Sequence, residues 1–148
     1  MKIRTRSMFF GALFVVSLLT IVTTAAGAAD ILIIAHPDVQ SESLDRAAIA
    51  DMYRQRKTKW DSGETIRVVM LKTGATHDAF VEDFVRTTPA KLKKIWKKVV
   101  FTGAGTPPKI LKTEADLIEF VAETAGAIGY IDAATPHEEV KLIALKEQ

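Results

Sequence analysis

The sequence predicts an α/β domain of three layers, in which a mixed sheet is flanked by helices. Short apolar runs bounded by turn residues alternate with longer segments whose apolar residues recur every three or four positions. This alternation is typical of a layered α/β sheet rather than a helix bundle or a β-sandwich. The chain has no cysteine. We therefore expect one domain held together by one apolar core, without disulfides.

The first 28 residues have the features of a secretion signal. Lys2, Arg4 and Arg6 precede an uncharged apolar run over residues 8–22, and small residues follow at 26–28. The apolar run is shorter than the ~20 residues that a membrane-spanning helix needs. We expect cleavage after this segment and a periplasmic domain over residues 29–148 with no membrane span. An uncleaved anchor is the alternative, and the absence of cysteine excludes a lipoprotein.

The charge balance argues against a nucleic-acid partner. The signal contains three of the 20 basic residues and none of the 18 acidic ones, so 17 basic and 18 acidic residues remain after it. A nearly neutral domain lacks the electrostatic footprint of a protein that binds nucleic acid.

The first half of the domain predicts two strands around one helix. Residues 31–35 are an apolar run ended by His36 and Pro37, which suits a buried strand and a turn. We expect Ser43 to cap a helix that has Asp45 in its first turn and that continues to about Met52. A basic turn over residues 54–59 follows, and residues 66–71 form the next strand.

The second half predicts three helices and two further strands. We expect a helix over residues 76–86, and then a lysine-rich amphipathic helix with Pro89 in its first turn. Residues 103–108 form a loop. Thr113 has the spacing of an N-cap for the last helix, which Gly126 ends. Strands are predicted over residues 127–131 and 140–145.

A turn of small residues between the second predicted strand and the following helix is the candidate binding site. A strand, a small turn and a helix N-terminus together direct backbone N–H groups at an anion. Asp78 in the first helical turn would oppose an anion, and simple capping by Thr73 or Thr76 is the alternative role. The candidate ligand-binding residues are Lys72, Thr73, Gly74, Ala75, Thr76 and His77.

Other chemistry-bearing residues form no recognisable motif. The three histidines have no metal-ligand spacing, although His36 could face the same sheet edge as His77. No nucleophile motif or paired acid/base motif occurs, so we expect no enzyme, no metal and no cofactor. Segment 54–60, which is basic and ends in Trp60, could dock an acidic partner or a nucleic acid, but a solvated turn with Trp60 covering a core edge is the simpler interpretation.

The segments in this order resemble the phosphate-type substrate-binding proteins of ABC transporters. The resemblance covers residues 31–37, 50–53 with Trp60, the turn at 73–76, residues 100–103 with Pro107, and residues 126–131. It implies a type II periplasmic-binding-protein-like domain. It also implies a small oxyanion such as phosphate as ligand and an ABC permease or another periplasmic protein as partner.

The sequence departs from the family pattern in two ways. The family has an arginine before its anion motif, where this chain has Met70, and the chain has residues for about one of the family's two lobes. These departures leave two functions open. One is weak oxyanion binding at a helix N-terminus. The other is a periplasmic interaction module that has lost its ligand and docks through segment 54–60 or a sheet edge.

Overall fold

The structure, a computed structural model, describes residues 30–146, so the predicted secretion signal lies outside the described residues. The elements follow the order β1 (Ile31–Ala35), β2 (Ser43–Leu44), α1 (Arg46–Tyr53), β3 (Arg67–Leu71), α2 (Ala75–Asp83), α3 (Pro89–Phe101), β4 (Lys109–Leu111), α4 (Glu114–Glu123), β5 (Ala127–Asp132) and β6 (Lys141–Leu145).

The strands form a six-stranded mixed sheet in the order β2-β6-β1-β5-β3-β4. β1 is antiparallel to both of its neighbours, β5 and β6, with Ile33 opposite Tyr130 and Ile143. β3 is parallel to β5 and β4, and β2 is parallel to β6. The carboxyl ends of β3, β4 and β5 consequently lie at one edge of the sheet.

Helices cover both faces of the sheet, as the sequence predicts. On one face, α4 packs closely against β5, because a Cβ at Gly129 would lie 2.6 Å from a methyl group of Leu117. On the other face, the Tyr130 ring stacks on Phe80 of α2 at 3.8 Å between centroids and lies 6.0 Å from the Tyr53 ring of α1. One continuous apolar cluster includes residues of the strands and of all four helices.

Two tyrosine hydroxyls bind strand backbone where the β3–β5 ladder ends. The ladder pairs Arg67 and Val68 of β3 with the first two residues of β5. Beyond it, the Tyr53 hydroxyl donates to the Val69 carbonyl at 3.1 Å, and the Leu71 N–H donates to the Tyr130 hydroxyl at 3.0 Å. These bonds satisfy buried backbone groups that would otherwise lack partners.

Most element predictions are confirmed, with differences at the helix ends. Thr113 caps α4 by accepting the Asp116 N–H at 3.1 Å, and Pro89 is in the first turn of α3. The prediction that Ser43 caps α1 is wrong. Ser43 lies in β2, and Asp45 is the cap instead, with its carboxylate accepting the Ala48 N–H at 2.6 Å.

Two short strands and one early helix end were not predicted. β2 has two residues and β4 has three. Such short strands do not show the alternation of apolar and polar residues by which a strand is recognised in a sequence. α2 ends at Asp83, before the predicted residue 86. The Arg54 guanidinium donates to the carbonyls of Val85 and Arg86, and Arg86 has a left-handed φ of 52°. The side chain of the residue that follows α1 thus satisfies backbone carbonyls after α2.

Candidate functional site

The candidate site lies at the sheet edge where three parallel strands end. Segments 72–77, 112–114 and 133–135 follow β3, β4 and β5, and α2 and α4 begin within the first two. Ligand sites of α/β proteins gather at the carboxyl ends of strands. The fold therefore brings the sequence-predicted turn to the edge where a ligand site is expected.

The N-terminus of α2 has backbone donors that no side chain caps. Its N-cap is Gly74, with a φ of 121°, whereas each of the other three helices begins at a residue whose side-chain oxygen accepts an N–H. The Asp78 N–H makes the first bond of the helix, to the Gly74 carbonyl at 3.0 Å. The N–H groups of Ala75, Thr76 and His77 precede this bond and are left for an external acceptor.

A carboxylate from α4 already binds part of this site. One oxygen of Glu114 accepts the Thr76 hydroxyl at 2.6 Å. The other accepts the Asp132 N–H at 3.0 Å and also the Thr135 hydroxyl. Glu114 thus ties α2 to the end of β5 with a half-buried negative charge, and it takes up the Thr76 hydroxyl that an oxyanion would otherwise use.

His77 directs its side chain into the core rather than toward the exposed turn. Its Nδ1 lies 2.6 Å from the Tyr130 hydroxyl, and its side chain is buried. The same hydroxyl accepts the Leu71 N–H at 3.0 Å, so the phenol and the imidazole form a hydrogen-bonded pair at the end of β3. Burial lowers the pKa of His77 and raises that of Tyr130, which favours this neutral pair.

The charges around the turn are mixed. Lys72 is exposed beside the N-terminus of α2, and Lys112 is exposed at the end of β4. Opposing them, Asp78 is exposed in the first turn of α2, and Glu114 lies against Thr76. An anion at this position would gain from the helix N-terminus and the lysines but would lose to the two carboxylates.

Sequence reasoning missed Glu114 as a site residue. The signal was present, because Glu114 follows Thr113, which was correctly identified as a helix cap. Its place beside Thr76 depends on β4 pairing with β3, and a three-residue strand was not recognised. Tyr130 was noted only as part of a strand, and its contact with His77 joins residues 53 positions apart.

The prediction that His36 faces the same edge as His77 is wrong. β1 runs antiparallel to β5, and the His36 N–H donates to the carbonyl of Ala127 at the start of β5. His36 therefore lies at the opposite edge of the sheet from the candidate turn. Because β1 is antiparallel, its carboxyl end lies at the edge away from the candidate site. The sequence of a strand does not show its direction in the sheet.

The predicted docking patch over residues 54–60 does not form a continuous surface. Trp60 is buried, and its indole N–H donates to the Gly126 carbonyl at 3.0 Å. Arg56 pairs with Asp51, and Lys57 pairs with Asp61 at 2.9 Å. Trp60 thus covers a core edge, which is the simpler interpretation of this segment.

Within residues 30–146, no three His, Asp or Glu side chains are grouped so that they could hold a metal ion. No helix in this part of the chain has the length and apolarity needed to cross a bilayer.

Comparison with known proteins finds the fold but no close relative. No protein-family model matches the chain, and no curated protein matches it. Solved structures with a similar fold include a protein assigned as a phosphate ABC transporter substrate-binding protein, with bound phosphate, from Clostridium perfringens (22% identity, TM-score 0.63). An ABC-type phosphate transport receptor from Vibrio cholerae (16%, 0.60) and PstS from Borrelia burgdorferi (11%, 0.61) are also similar.

These similarities extend over most of this chain but over less than half of each solved structure. They cover 78% of this chain and 44%, 45% and 46% of the three proteins, respectively. At this identity, the comparison establishes the fold. The chain therefore has the α/β fold of part of the phosphate ABC transporter substrate-binding proteins, which confirms at the level of fold the resemblance indicated by its sequence.

Proposed function

We propose that this chain is a periplasmic, non-enzymatic substrate-binding-protein-like domain that binds phosphate or another small oxyanion weakly at the N-terminus of α2. The observation that carries the proposal is the set of three backbone N–H groups of Ala75, Thr76 and His77, which follow a glycine N-cap at the edge where β3 ends. Lys72 and Thr73 are exposed beside these groups. Backbone donors at a helix N-terminus suit a phosphate oxygen.

The fold supports the same proposal. The similar protein from Clostridium perfringens holds phosphate, and the proteins from Vibrio cholerae and Borrelia burgdorferi are a phosphate transport receptor and PstS. By analogy, an ABC permease is the expected partner and the periplasm the expected location.

The proposed affinity is weak for two physical reasons. The turn lies on an exposed edge, so water competes for the same N–H groups, whereas a tight small-molecule site buries most of its ligand. In addition, the Glu114 carboxylate accepts the Thr76 hydroxyl and repels an arriving anion.

Titration of the purified protein with inorganic phosphate, followed by amide NMR, tests the proposal. We expect shifts at residues 74–78, and we expect Ala75→Pro to weaken binding because proline removes one N–H at a helical position that tolerates it. Lys72→Ala should also weaken binding. Lys94→Ala makes the same change of charge on an exposed position of α3 and should leave phosphate affinity unchanged.

Glu114→Gln gives the sharpest result. It keeps the shape of the side chain and removes its charge, so phosphate affinity should rise by roughly threefold to tenfold, as expected for the loss of one nearby like charge. Phosphate shifts that are absent in both the native chain and Glu114→Gln would refute oxyanion binding at this turn.

The second candidate function is an interaction module that has kept the fold without the ligand. The observation that favours it is Glu114 itself, whose carboxylate accepts from two hydroxyls and one N–H at this edge. Its carboxylate already binds the Thr76 hydroxyl, a donor that an oxyanion at this turn would otherwise use. This function is supported if the chain binds no anion and crosslinking in the periplasm recovers a defined protein partner.

A further inference from the structure

A groove beside the α2 turn runs between α3 and the edge of the sheet. Its walls come from α3, from the ends of β3 and β4, and from the loop at Pro107 and Pro108. Its volume is about 760 Å³, within the range of about 300–1,000 Å³ that is typical of small-molecule sites. The groove is therefore large enough for an organic ligand rather than for a bare phosphate ion.

The walls of this groove are apolar and partly open to solvent. Met70, Leu92 and Trp96 form its buried side. Phe101 is 92% exposed and Ile110 is 55% exposed at its margin. An apolar ligand in this groove would remove the surface of these side chains from water, and this burial favours binding.

All the charged residues that line the groove are lysines. Lys72, Lys93 and Lys97 contribute to its wall, and no Asp or Glu does. α3 itself has five lysines and no acidic residue. Charge complementarity therefore selects an anionic ligand over a cationic one.

Trp96 and His77 belong to the same wall. The Trp96 indole nitrogen is buried and has no hydrogen-bond acceptor among the described residues, although buried indole N–H groups usually find one. The other tryptophan, Trp60, follows the usual pattern by donating to the Gly126 carbonyl. His77 also lines the groove, and its Nδ1 lies 2.6 Å from the Tyr130 hydroxyl.

From these features we propose that the groove binds a small amphiphilic carboxylate, with an apolar chain or ring against α3 and β4 and a carboxylate near Lys72, Lys93 and Lys97. This site differs from the turn at the start of α2, although Lys72 and His77 border both. It goes beyond the proposed oxyanion binding and does not depend on it.

Indole NMR of the purified protein tests this proposal directly. The chain has two tryptophans, so two indole N–H signals are expected, and Trp96→Phe identifies the one from Trp96. Decanoate, titrated below its micelle concentration, should shift the Trp96 signal saturably and leave the Trp60 signal in place. Decyltrimethylammonium, which has the same chain length and the opposite charge, should cause no saturable shift.

Matched charge reversals on α3 provide the second readout. Lys93→Glu with Lys97→Glu reverses two lysines of the groove and should weaken decanoate binding by roughly fivefold to tenfold. Lys94→Glu with Lys98→Glu makes the same change on the same helix, at exposed positions that do not line the groove, and should change the affinity by less than about twofold.

Each contrary outcome would overturn the proposal. An unmoved Trp96 signal means that the carboxylate does not enter the groove. Equal responses to decanoate and decyltrimethylammonium, or equal effects of the two double reversals, mean non-specific adsorption to apolar surface. A Trp96 signal that moves only with protein concentration means that a second copy of the chain covers the groove instead. Phosphate titration gives a separate readout at Gly74, Ala75, Thr76 and Asp78, which do not line the groove.

Discussion

At the scale of single residues, the hydroxyl of Tyr130 joins three parts of the molecule. It extends from β5, accepts the Leu71 N–H of β3 at 3.0 Å and lies 2.6 Å from His77 of α2. Its ring also stacks on Phe80. A phenol is suited to this place because it both accepts and donates a hydrogen bond at the end of a large apolar ring.

Tyr130→Phe should lower the free energy of unfolding by about 1–3 kcal/mol, because it leaves a buried N–H and a buried imidazole nitrogen without partners. Urea unfolding measures the change. Tyr53→Phe is the matched comparison, since that hydroxyl donates only to carbonyl groups, at 3.1 and 3.4 Å. We expect the Tyr53 variant to be the more stable of the two, and the reverse order would contradict this role of Tyr130.

His77 should make the protein less stable in mild acid. Burial lowers its pKa in the folded state, whereas an unfolded histidine titrates near about pH 6.5. The unfolded chain therefore takes up the proton first, so this contribution to stability is complete above about pH 6.5 and is lost as the pH falls below it.

The measurement is the free energy of unfolding between about pH 7.5 and about pH 5. The decrease should be smaller in His77→Gln. His137→Gln, at a half-buried surface position, should retain the native pH dependence. If both variants keep the full decrease, another group is responsible for it.

At the scale of elements, the segment before β5 contains a glycine at a position with no space for a Cβ atom. Gly126 has a φ of 73°, and a Cβ there would lie 2.3 Å from the Thr65 carbonyl oxygen. Its own carbonyl accepts the Arg67 N–H and the Trp60 indole N–H. This residue therefore sets the distance between the start of β5 and the segment that leads into β3.

Gly126→Ala and Gly63→Ala separate backbone strain from steric overlap. Gly63 also has a positive φ, 90°, but a Cβ there has no neighbour within 4 Å. Gly63→Ala should cost about 1–2 kcal/mol from the left-handed backbone alone. Gly126→Ala should cost about 1–3 kcal/mol more, because Thr65 has to shift.

Thermal and urea unfolding of the two glycine variants provide the comparison. Equal losses of stability would show that the close approach of Thr65 to Gly126 has no energetic effect.

The start of α2 shows how far sequence reasoning reaches at this scale. The strand, the turn and the helix were all predictable, because β3 is apolar and the residues of the turn are small. The inward orientation of His77 and the contact of Thr76 with Glu114 were not. Both depend on residues at least 38 positions away, which come close only after β4 and β5 pair with β3.

At the scale of the whole molecule, one apolar cluster connects the sheet to every helix. It includes Trp96 of α3 and Trp60 of the loop before β3, so tryptophan fluorescence monitors two distant parts of the same core. Without an independent second core, the described residues should unfold as one unit.

We therefore expect urea transitions followed by tryptophan fluorescence and by far-ultraviolet circular dichroism to coincide. A reducing agent should not change them, because the chain has no cysteine. Transitions that separate would show that α3 and its groove unfold independently of the sheet.

The sequence by itself determined the fold class, the alternation of strands and helices, and the small-residue turn before α2, because hydrophobic periodicity and capping are local properties. Tertiary structure alone decided the direction of β1, which places His36 at the edge of the sheet opposite the candidate turn. It also decided the inward orientation of His77 and the pairing of Glu114 with Thr76. These features arise from the register between distant strands, and the pattern of one strand carries no information about its neighbours.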